Sequence, residues 1–128
     1  MIEVPVSYGE LIDKITILEI KSARIADDGK LANVRKELAL LEGKLGDTVN
    51  VPAVAEIRAA LFEVNATLWD IEDAIRDCEH AGNFGPEFVK LARAVYVTND
   101  ERAELKRKIN IALDSAIIEE KSYKPYKA

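Results

Sequence analysis

The chain has 128 residues, 18 Lys plus Arg against 23 Asp plus Glu, a formal net charge of -5 and 48% hydrophobic residues. A chain of this length buries roughly two-thirds of its unfolded surface, so a core can form without a metal or disulfide staple. The lone Cys78 excludes an intrachain disulfide and fits a reducing compartment, no apolar run approaches the ~20 residues of a bilayer span, and the acidic opening MIEVPVSYGE lacks the charge of a secretory signal. A single cytoplasmic helical domain over residues 1–128 is the expectation.

Ile2, Val4 and Val6 alternate with Glu3 and Pro5, which makes residues 1–6 an extended lead-in. Ser7 and Glu10 have the spacing of a capping box, and a helical pattern follows. Leu11, Ile15, Leu18, Ser22 and Ile25 form its seam, Ile12, Ile17 and Ile20 widen it, and Asp27-Asp28-Gly29 is expected to end it. Leu31, Val34, Leu38, Leu41 and Leu45 mark a second helix with Gly46 as its cap.

Residues 46–51 are expected to be a loop, and Pro52 suits the first turn of a third helix. Ile57, Leu61, Val64, Leu68, Ile71, Ile75 and Cys78 alternate steps of four and three, the strongest period in the chain. His80 and Gly82 stand where a helix C-terminus prefers them. Pro86 opens a last pattern that runs to Ala116 at helical spacing. Thr98 and Arg102 interrupt its seam, so either one long helix bends there or Thr98 with Glu101 caps a fresh start; one helix is the preferred expectation. The stretch SYKPYKA at 122–128 is a basic, aromatic tail. The fold class is all-α: an antiparallel bundle or long hairpin of about four helices.

The short 82–85 connection makes the last two helices antiparallel, with facing residue numbers summing to about 166. Residues 52–87 carry two bases against eight acids, whereas 88–108 carry six bases against three acids. That register sets Asp73 near Arg93, Glu63 near Arg102, and Glu56 near Arg107 and Lys108, so charge is expected to pair the two arms. Glu56, Glu63, Asp70 and Asp77 recur every seven residues; at about 10.5 Å per step they stand too far apart to share one cation, and no metal or cofactor is expected. Cys78 and His80 supply two of the four ligands a structural zinc needs, and a free cysteine in a seam behaves as a small apolar group. No catalytic triad forms around one histidine at a helix end, and no GxxxxGK[ST] or GxGxxG loop is present. Net acidity argues against nucleic-acid binding. For the tail, solvation is the simpler expectation, and docking of Tyr123 and Tyr126 on the body or a partner is the alternative.

Around the polar interruption, Thr98, Asn99 and Arg102 lie opposite Asn65, Leu68 and Trp69. A buried guanidinium needs a partner, and Glu63 or Asp70 is the expected one. The alternative is an anion pocket in which Lys14, Lys21 or Arg24 joins Arg102. The candidate cluster is therefore Arg102, Asn99, Thr98, Trp69, Asp70, Lys14 and Lys21, with Asp13, Thr16 and Glu19 as further polar groups of the first helix.

The segments VPVSYGELIDKITILEIKS at 4–22, LWDIEDAIRDCE at 68–79, FGPEFVKLARAVYVTNDERAELKRKIN at 84–110 and EEKSY at 119–123 resemble, nearly end to end, a family of small bacterial proteins classed as a domain of unknown function. The resemblance implies a bacterial cytoplasmic protein with ties to surface-polysaccharide gene neighbourhoods, and it brings no catalytic residues. Residues 12–24, IDKITILEIKSAR, also resemble the opening helix of the all-helical chorismate mutases, which clamp a dicarboxylate between Arg and Lys side chains. The expected function is a protein-interaction or scaffold module acting as a homodimer. A small-molecule binder or enzyme built on an interhelical anion pocket is the second choice.

Overall fold

A computed structural model describes residues 1–49 and 51–127. Its helices are α1 (Tyr8–Arg24), α2 (Asp28–Leu45), α3 (Pro52–His80) and α4 (Pro86–Ala112), and no strand forms among the described residues. The extended lead-in carries no regular structure. The Ser7 hydroxyl caps α1 by accepting from the Glu10 amide at 3.1 Å. Only this half of the capping box forms, because the Glu10 carboxylate turns to Lys106 on α4 instead.

α1 stops at Arg24, three residues before the expected Asp27-Asp28-Gly29 ending. Asp27 instead caps the start of α2, accepting from the Lys30 amide at 2.8 Å, so the acidic turn opens the next helix. Gly46, at φ 55°, ends α2 as expected, but residues Gly46–Val49 form a 3-10 turn in place of an open loop. Pro52 and Pro86 occupy first-turn positions of α3 and α4, where their missing donors cost nothing. Gly82, at φ 66°, closes α3: its amide bonds Glu79 and the Asn83 amide bonds Cys78 at 2.8 Å, a Schellman turn. α4 runs unbroken through Thr98 but ends at Ala112, short of Ala116. The same turn recurs there with Asp114 in the left-handed position at φ 51°, and the Ser115 amide bonds Asn110 at 2.8 Å.

The helices stack in three layers: α2 lies on α1, and α1 lies across the α3–α4 hairpin. The core is Ile12, Ile15, Leu45, Val54, Leu61 and Ile109, all at the end of the hairpin where α1 sits. Length dictates this. α1, with 17 residues, spans about 25 Å, and α3, with 29, about 43 Å, so α1 covers little more than half of the hairpin. Beyond Asn65, α3 buries only Cys78, and α4 buries nothing ahead of Thr98. The Cys78 thiol is a packed seam group, and burial with the nearby Glu87 and Asp77 carboxylates pushes its pKa up.

The tail docks on the body. After Asp114 the chain reverses and runs back along α4, pairing Glu120 with Arg107 at 3.1 Å and Lys121 with Asp100. The Tyr126 ring meets Tyr96 edge-on, with centroids 5.4 Å apart. Tyr123, in contrast, stays 82% exposed.

Candidate functional site

The polar groups of the chain converge where α1 crosses the hairpin. Asp13 shares the buried face of α1 with Ile12, Ile15 and Thr16, and only 1% of its side chain is exposed. Arg102 of α4 grips it through Nε at 2.9 Å and through Nη2, a two-pronged pair that the planar guanidinium favours. Asn65 of α3 donates from Nδ2 to Asp13 Oδ1 and to Thr16 Oγ1, both at 2.9 Å, and the Thr16 hydroxyl donates to the Asp13 carbonyl at 2.7 Å. Lys106 stands 3.8 Å from Asp13 and bonds Glu10 at 2.6 Å. Three helices are thus tied by one carboxylate.

Burial alone would raise the Asp13 pKa, but the Arg102 and Asn65 hydrogen bonds and the Arg102 and Lys106 charges hold it below the usual carboxylate range. The Asp13 hydrogen bond in turn raises the Arg102 pKa against the effect of burial, so the guanidinium stays charged. Every buried side-chain nitrogen and oxygen among the described residues has a partner. The junction balances two acids, Asp13 and Glu10, against two bases, Arg102 and Lys106.

This corrects the expected charge pairing. Arg102 bonds neither Glu63 nor Asp70; Asp70 pairs with Arg24 of α1 at 2.6 Å, and that guanidinium also lies 5.9 Å over the Trp69 ring. The expected pairs Asp73 with Arg93 and Glu56 with Arg107 or Lys108 do not form among the described residues, and no ion pair joins α3 to α4 there. Arg58 of α3 reaches Glu19 of α1 at 2.8 Å. The arms are held through α1 and by their apolar seam.

Of the candidate cluster, Arg102 enters the junction, and Asn99 and Trp69 line an open cavity of about 400 Å³ beside it with Arg102 and Ile17. Thr98 is buried, while Asp70 belongs to the neighbouring Arg24 contact. Lys14 stays half exposed, 4.0 Å from Glu10, and Lys21 pairs with no described acid, so neither joins Arg102.

A second polar knot closes the start of α1. The Gly9 amide donates to Asn110 Oδ1 at 2.6 Å, the Ser7 hydroxyl donates to Glu119 Oε1 at 2.5 Å, and Asn110 Nδ2 donates to Glu119 Oε2 at 3.2 Å. A Cβ on Gly9 would collide with the Lys106 carbonyl and lie 2.9 Å from Asn110 Oδ1, so this close approach of α1 to α4 needs glycine. Burial would raise the Glu119 pKa, but the Ser7 hydroxyl, its own amide and Asn110 keep it low, beside the favourable end of the α1 dipole. Gly9, Asn65, Asn110 and Glu119 were not singled out by sequence as site residues. Asp13 carried a signal, an acid on the widened apolar face of α1.

Four helices in three layers, locked by a buried acid, define a small all-α protein. The chain matches the model of a family of unknown function (DUF6165) over residues 2–127 and belongs to that family. No curated protein and no solved structure matches it.

Proposed function

We propose that this chain is a protein-interaction module that works as a homodimer through the outer half of its α3–α4 hairpin. The observation that carries it is the contrast between that outer half and its base. Phe84 and Val89 are more than half exposed there, and no third helix lies over them. The opposite charges of the two arms are also unspent. Asp73, Asp77 and Glu79 on α3, and Lys90 and Arg93 on α4, are exposed and make no ion pair with described residues.

A two-fold axis beside an antiparallel hairpin sets α3 of one copy against α4 of the other, acid against base. Each exposed pair contributes only about 0.2 to 1 kcal/mol, so the charges select the partner and register while the apolar seam supplies affinity. The buried Asp13–Arg102 junction fits this role by holding the hairpin at a fixed angle to α1. One free, buried thiol and a net charge of -5 support a cytoplasmic setting.

Sedimentation equilibrium tests this. At about 100 μM the chain should sediment at twice its 14.2 kDa mass, and Lys90→Glu with Arg93→Glu should weaken association about tenfold. Mixing that variant with an Asp73→Lys, Asp77→Lys chain should restore a mixed dimer. A wild-type monomer at this concentration removes the proposal.

A further inference from the structure

The return of the C-terminal segment along α4 leaves a groove of about 530 Å³ between them, within the size range of small-molecule sites. Four cations line it: Arg102 and Lys106 from α4, and Lys121 and Lys124 from the returning segment. Asp100 is its one lining acid, and it is engaged by Lys121. Arg102 and Lys106 direct their bonds to the acids of α1, but Nη1 of Arg102 has no acceptor among the described residues. Lys124 makes no ion pair among them either. Two separated segments therefore bring uncommitted donors to one concavity, Arg102 Nη1 from α4 and the Lys124 ammonium from the returning segment.

The same groove gathers three tyrosines, Tyr96, Tyr123 and Tyr126, and none belongs to the core. Tyr96 is 43% exposed and Tyr126 44% exposed even where their rings touch. Tyr123 is held beside the Lys121 ammonium, 5.3 Å from the ring centre, with its other face in water. Phosphate oxygens are recognised by guanidinium and ammonium donors, and flat rings by aromatic faces. Both kinds of group are here, within the reach of one small molecule.

We infer that this groove binds a mononucleotide-sized phosphate ester, its phosphates on Arg102, Lys121 and Lys124 and its ring against Tyr123 and Tyr96. Binding would exchange the Asp100 carboxylate on Lys121 for a phosphate and hold the returning segment more tightly to α4. The site is separate from the hairpin tip, so it stands or falls apart from the dimer.

Isothermal titration of the full chain with ADP, inorganic pyrophosphate and adenosine tests it. ADP should bind in the micromolar to submillimolar range, pyrophosphate about tenfold more weakly, and adenosine more weakly still. Lys124→Ala and Tyr123→Ala, both at exposed positions, should each weaken ADP binding about tenfold with an unchanged helical circular-dichroism spectrum. Absence of ADP binding, equal affinity for pyrophosphate, or ADP affinity undiminished in either variant would overturn the assignment.

Discussion

The two ends of the α3–α4 hairpin have similar helices but different surroundings. At the base, α1 lies across the pair, the apolar side chains of both helices reach a core, and Asp13 collects donors from α3 and α4. Toward the tip, past the Arg24–Asp70 and Tyr126–Tyr96 contacts, the two helices pack chiefly on each other; Ile75 and Leu91 stay half-buried and Val89 is 51% exposed. The difference teaches that a heptad-like seam is a local instruction for pairing two helices. Whether it yields a buried core depends on a third element long enough to cover it.

The largest expected effect lies at the base. Asp13→Ala leaves Arg102 without its acid and should cost about 3 kcal/mol in urea unfolding, at the low end for a buried pair because Arg102 keeps 29% exposure. Adding Arg102→Met should recover about 1 kcal/mol of that loss, a coupling no tip residue should show. The pair also has a pH signature. The folded Asp13 pKa is depressed, so its contribution is present above the ordinary carboxylate range and lost as pH falls through the lower folded value. Unfolding free energy should therefore drop below about pH 4, and less steeply in Asp13→Ala, with Glu119 supplying the remaining slope.

Gly9→Ala should rank next. The added methyl has no room against the Lys106 carbonyl, and forcing α1 away from α4 should cost about 2 kcal/mol, read as a lower urea midpoint at unchanged slope. The smallest effect belongs to the tip. Val89→Ala should move the stability of the separated protomer by less than about 0.5 kcal/mol while weakening self-association in sedimentation. A large loss of protomer stability from Val89→Ala would abolish the distinction between the two ends.

Helix boundaries were readable in the sequence wherever one residue determines them. Ser7, Pro52, Gly46, Gly82 and Pro86 act through their own backbone and side-chain chemistry, and each stands where expected. The end of α4 was not readable, because a left-handed Asp114 leaves a weaker mark than glycine. The junction was half readable. Arg102 stood out as a charge in an apolar seam, but its partner depended on the angle at which α1 crosses, which no spacing within α3 or α4 encodes. Charge totals misled for a related reason: they average over a helix, and the acids that matter, Asp13 and Glu10, lie on a third one. The docking of the tail followed from the turn at Asp114 and the acid at Glu119, whose partners are more than a hundred residues away or inside α4.

The knot at the start of α1 also has a bearing on the order in which the chain matures. The Gly9 amide waits for an acceptor 101 residues later, and the Ser7 hydroxyl for one 112 residues later. During synthesis α1 emerges well before α4 and the tail, so these two bonds form only after the later partners have been made. Such long-range closure slows folding relative to local helix pairing, so the α3–α4 hairpin is poised to assemble first and receive α1 as the last piece.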